Sequence, residues 1–102
     1  MKIVKELSEM IEEELEGACE YAKEAIKHKE DHPTLAKVFY DISLEEVNHI
    51  ERLHGEVVRL ISEHRREHGE PPAAMMAVYE YLHEKHIDKL NKIKTYQMQF
   101  RA

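Results

Sequence analysis

The sequence predicts an all-α protein, and three observations carry that prediction. Glu, Lys, Leu, Ala, Ile and Met dominate the 102 residues, while Gly and Pro number only three each. Apolar residues recur at spacings of three and four, and no segment alternates with the period of two that a half-buried strand needs. Two short clusters of helix-breaking residues, Asp31-His32-Pro33 and Gly69-Glu70-Pro71-Pro72, cut the chain into three long pieces.

The first helix is expected near 2–30. Its apolar stripe is Val4, Leu7, Ile11, Leu15, Ala18, Ala22 and Ala25, widened on one side by Ile3, Met10 and Tyr21. The second is expected over 33–68, with Pro33 at the first helical position, where its missing N–H costs nothing. At 1.5 Å per residue it would run about 54 Å unless Gly55 bends it. Its stripe reads Leu35, Phe39, Ile42, Ile50, Leu53, Val57, Leu60 and Ile61, and Gly69 is the natural C-terminal stop. The third, near 72–100, carries Met75, Val78, Tyr79, Leu82, Leu90, Ile93, Tyr96 and Phe100, with His86 central among them. The expected architecture is a single domain over 1–102, a long antiparallel helical hairpin plus a third helix. So long a helix rarely packs only on its own chain, and its far half needs the third helix or a second subunit to cover it.

Composition excludes several functions. A formal charge of −6, with Lys and Arg scattered, argues against nucleic acid and leaves no polybasic patch for a membrane surface. No 18-residue apolar stretch could span a bilayer, and no N-terminal apolar run resembles a signal peptide. The single cysteine, Cys19, forms no internal disulfide and fits a reducing compartment, so a cytoplasmic location is expected. It also excludes a four-cysteine iron or zinc centre within the chain.

The motif that invites chemistry is Glu-x-x-His, which puts a carboxylate and an imidazole side by side on a helix. With 18 Glu and 8 His, chance alone supplies the pattern about 1.4 times. It occurs three times, as Glu46/His49, Glu51/His54 and Glu80/His83, so the pattern by itself proves little. Orientation separates the three. Glu46 falls at the centre of the second helix's stripe, with His49 on its shoulder. Glu51 points away with His54 at the opposite margin, and Glu80 and His83 lie on a flank. In the first helix Glu14 alone among the glutamates falls inside the apolar arc, between Leu7 and Tyr21 on the wheel.

An apolar face tolerates a carboxylate only if it is paired, protonated or bound to a metal. Glu14 and Glu46 would repel each other, and no inward Lys or Arg stands at matching depth. Counted from the 31–33 turn, the two lie about 17 and 14 residues along their helices, a mismatch of roughly 4–5 Å that two side chains can close. A cation is the simplest resolution. The rival reading is a metal-free helical bundle whose inward polar residues set register and partner choice.

An inward Glu followed on the next helix by Glu-x-x-His resembles half of the ferritin-like di-iron carboxylate set. The likeness is to the rubrerythrin branch in particular. Glu14 is followed seven places on by Tyr21, and Phe39 stands seven before Glu46 of Glu46-x-x-His49. It covers about residues 7 to 61. The chain departs from the family by lacking a fourth helix and a second ligand set. In that respect it is similar to encapsulated ferritins, short chains that complete a four-helix bundle and a shared site by dimerising.

The resemblance implies a homodimer or higher oligomer with two irons, or manganese, per shared site. Glu14, Glu46 and His49 would be the ligands supplied by each chain. It implies oxidation of Fe(II) by oxygen or peroxide. A peroxidase activity would need an external electron donor, because the rubredoxin cysteines are missing. Tyr21 would stand beside the metal as a hydrogen-bond partner or electron donor, or else simply pack. His86 could join a mononuclear site, or be a hydrogen-bonded core histidine. The C-terminal Thr-Tyr-Gln-Met-Gln-Phe-Arg-Ala shows no shell-targeting tail.

Overall fold

The computed structural model describes residues 1–102 as three helices: α1 Lys2–His28, α2 Pro33–His68 and α3 Ala73–Arg101. The breaks fall where the sequence places them. Pro33 opens α2 after His32 takes a non-helical conformation, and Gly69 closes it at φ +81°, a left-handed conformation that suits glycine. Basic side chains occupy the last turn of each helix, Lys27 and His28, then Arg65, Arg66 and His68, then Arg101, where they meet the negative end of the helix dipole. α2 runs unbroken through Gly55.

The short turn at 29–32 folds α2 back antiparallel on α1, so that Ser43 reaches the carbonyl of Ala18 at 2.8 Å. α3 then runs parallel to α1. Its start lies by the N-terminal amine, which contacts the sulfur of Met75, and its end lies by Lys29, whose Nζ donates to the carbonyl of Ala102. α1 is the shared element. α3 packs chiefly on α1 and meets α2 at few points, giving a rod of 55 × 18 × 18 Å. No helix is long and apolar enough to cross a membrane.

The core joins Val4, Ile11, Leu15, Ala18 and Cys19 of α1 to Val47, Ile50, Val57 and Ile61 of α2 and Ile93 of α3. Towards the turn the buried residues become small, with Ala18, Ala22, Ala25, Ala36 and Ser43 all fully enclosed. Three polar side chains sit inside: Ser8 donates to the Val4 carbonyl of its own helix at 2.9 Å, and the other two satisfy each other. Gln97 donates to Ser43 Oγ at 2.9 Å, and Ser43 in turn donates to the Ala18 carbonyl, so one relay ties all three helices.

The α2 stripe expected from sequence needs a correction. The buried face is Ala36, Tyr40, Ser43, Val47, Ile50, Val57 and Ile61, turned by about one residue from the predicted one. Leu35 is exposed, and Phe39, Ile42, Leu53 and Leu60 are only half-buried. α2 carries two adjacent apolar stripes, and α1 with α3 cover one of them. Glu46 therefore does not sit in the middle of this chain's core. It lies on the second stripe, half-buried and facing outwards. α1 continues that open face through Ile3, 46% exposed, Leu7, Met10, 49% exposed, Glu14 and Tyr21. On α3, Val78 likewise turns out to be exposed.

Candidate metal centre

Glu14, Glu46 and His49 come together on the open face. Antiparallel register sets residue 14 of α1 opposite the 46–49 turn of α2, and the i, i+3 spacing places Glu46 and His49 on one side of that helix. One potential ligand atom from each of the three lies within 4.8 Å of the others. His49 Nδ1 stands 3.5 Å from Glu14 Oε2, with side-chain exposures of 51% and 30%.

The electrostatics show a group short of positive charge. Glu46 is pushed up from the ordinary carboxyl range to about 7, first by burial, then by hydrogen bonding to Glu14 and repulsion from it, with His49 pulling the other way. A proton held between two carboxyl groups is one answer to their repulsion, and a cation is the other.

Backbone shape contributes as well. Gly17 sits one turn beyond Glu14, and a β-carbon there would approach Glu46 Oε2 to 3.1 Å and its Cδ to 3.5 Å. The Glu46 carboxylate thus occupies room that any other residue at 17 would narrow. The wheel did not single out Gly17, because a glycine carries no polarity for a periodicity to register.

Beside the three ligand atoms opens a groove of about 580 Å³, lined by Met10, Glu14, His49, Glu51, Arg52, Leu53, Gly55 and Glu56. Tyr21 lies two turns beyond Glu14, roughly 10 Å along the axis, with its ring 6.0 Å from that of Phe39. His86 is elsewhere. It lines a different groove with His54 and His83, between α3 and the other side of the hairpin. The structure thus brings together Glu14, Glu46 and His49, and leaves Tyr21 at a distance and His86 apart. It also joins two histidines from motifs that orientation on the wheel had set aside, His54 and His83, whose rings stack at 4.7 Å. Each lay on the margin of its own helix, and only the packing of α3 makes those margins meet.

Comparison with protein-family models, with curated proteins and with solved structures finds no match to this chain.

Proposed function

We propose that this chain is a metal-binding helical protein that assembles from two or more copies, holds iron or manganese through Glu14, Glu46 and His49, and oxidises Fe(II). The observation that carries the reading is the convergence of those three side chains within 4.8 Å on an apolar face that the chain leaves open.

The residues present fit such an ion. Two carboxylates and one imidazole make an oxygen-rich set that suits iron or manganese better than structural zinc. Burial and Glu14 push Glu46 up to about 7, an upward push that a cation would reverse, and Gly17 leaves its carboxylate room. Bound iron would supply the one-electron change between Fe(II) and Fe(III), with oxygen or peroxide as acceptor. The chain's own part is to present three ligands and to release the Glu46 proton as the ion enters.

Three ligands from one chain leave an ion undersaturated. A second copy laid on the open stripe would cover Ile3, Met10 and Leu35 and bring a second Glu14, Glu46 and His49, completing a four-helix bundle of the ferritin-like kind with two metals. The same stripe supports the rival reading, a metal-free interaction bundle, because exposed apolar residues at helical spacing invite a partner with or without a cation.

Anaerobic titration of the apo-protein with Fe(II), beside Glu46→Ala, separates the two. The metal reading expects about one iron per chain, lost in the variant, in a dimer or larger species by light scattering, followed by oxygen uptake on aeration. An oligomer that binds no iron in either form would leave only the interaction bundle.

A further inference from the structure

On the covered side of the hairpin, His54 of α2 meets His83 and His86 of α3 in a groove of about 270 Å³ floored by Ile11 and Ile50. The His54 and His83 rings stack with centroids 4.7 Å apart and planes 9° from parallel. His83 and His86 are one turn apart on the same helix, and all three are half-buried. Histidines kept for packing alone usually hydrogen-bond their ring nitrogens. None of these three does so to any group of the chain, and their ring nitrogens are open to solvent in the groove rather than sealed in the core. Burial first, and then neighbouring histidine, hold His54 below the ordinary imidazole range; burial does the same for His86, against a pull from Glu12. Neutral imidazoles keep the lone pair that a metal needs.

We propose that His54, His83 and His86 form a second site, for a borderline divalent transition metal of the zinc, copper or nickel class. Three imidazoles select such ions as distinctly as the carboxylates of the other face select iron or manganese. Stacked rings do not themselves chelate, and as they stand only Glu14, Glu46 and His49 bring ligand atoms within 4.8 Å of one another. The three half-buried imidazoles would have to change rotamer, turning their nitrogens out of the stack towards one point about 2 Å from each. Glu51 lines the same groove and Glu12 lies near His86, so carboxylates stand by to offset the cation's charge or orient a ring. This site would tie α3 to α2, which otherwise touch little.

The test is titration with Zn2+, and with Co2+ as its visible-spectrum surrogate, in the Glu46→Ala protein, where the carboxylate group is disabled. The expected result is about one ion per chain, a tetrahedral cobalt spectrum, and affinity at least tenfold weaker when His83→Ala is added. His54→Gln and His86→Gln should act likewise while leaving the helix content unchanged. Should His83→Ala fail to fold, imidazole nitrogen NMR of the Glu46→Ala protein decides instead. Zinc-dependent shifts confined to these three rings uphold the site. No zinc binding by Glu46→Ala, binding indifferent to all three substitutions, or shifts only at His28, His32, His64 and His68 would overturn it. Because Glu46 is absent from this background, failure here leaves the iron reading untouched.

Discussion

Gly17 and Glu46 are matched across the α1–α2 interface: a β-carbon at 17 would stand 3.1 Å from Glu46 Oε2. A mid-helix glycine ordinarily costs about 1 kcal/mol relative to alanine. Here the same absence of a side chain lets the carboxylate lie back against α1. Gly17→Ala should therefore leave the metal-free melting temperature unchanged or raised, since only the flexible end of Glu46 has to shift by a few tenths of an ångström. Iron affinity should fall several-fold. Melting curves with and without Fe(II) or Mn2+ check both halves, and equal affinity in the two proteins would show that the room at 17 has no part in binding.

Glu46 gives the site a pH signature. Its folded value, about 7, lies above the 4.5 of an unperturbed carboxyl, so the folded chain holds the extra proton between those limits. Stability of the metal-free protein from this group is thus fullest below about 4.5 and is lost as pH rises towards 7. A displacement of that size represents roughly 3 kcal/mol, which screening at a half-buried site reduces to about 1 kcal/mol. Urea unfolding of wild type and Glu46→Gln across this range should show the variant gaining relative stability as pH rises. Metal affinity should run the opposite way, strengthening towards pH 7 with release of up to one proton per ion, measurable in buffers of different ionisation enthalpy.

The histidines of the other groove act with the reverse sign. His54 and His86 are held below the ordinary imidazole value, so their contribution is present above about 6.5 and lost as the pH falls. Acidification places mutually repelling charges between α2 and α3. Amides of α3 should lose hydrogen-exchange protection before those of the α1–α2 hairpin, and His83→Phe should reduce the difference.

The Gln97–Ser43–Ala18 relay predicts non-additive energetics. Ser43→Ala strands the buried Gln97 amide and should cost about 1–3 kcal/mol, as an unpaired buried polar group does. Gln97→Leu on its own costs less, because Ser43 keeps its bond to the Ala18 carbonyl. The double variant should be close to the better single one, a coupling that a double-mutant cycle in urea reads directly.

The open stripe supplies a fifth check, on assembly. Met10→Glu and Leu35→Lys put charge on the face that a second copy would cover, without touching the buried core. Light scattering should show a shift towards monomer with helical circular dichroism retained. Iron binding should weaken in step with dissociation, which a site formed within one chain would not do.

Helix boundaries were legible because they rest on local chemistry: Pro33 and Gly69 act where they stand, whatever the tertiary fold. The meeting of Glu14 with Glu46 and His49 was legible because a short turn fixes the register of an antiparallel pair. Glu46's depth was misread for a related reason. A wheel reports that Leu35, Phe39, Ile42, Leu53 and Leu60 share a face, but not which neighbour covers it, and α2 has two such faces side by side. The histidine groove was beyond reach for a third reason. His54 and His83 are 29 positions apart, and their contact depends on how α3 leans against α1, to which no local motif testifies.

Having α1 as the common wall also shapes how the rod comes apart. Glu14 looks out on one side of it, while Ile11 and Leu15 hold α3 on the other, so α3 can loosen without drawing the two carboxylates from each other. The hairpin alone carries the open face, and the third helix packs behind it, chiefly on α1. Changes to the exposed residues of α3, Tyr81 or Met98 for example, are then free to alter rigidity and partners while the geometry of the open face stays as it is.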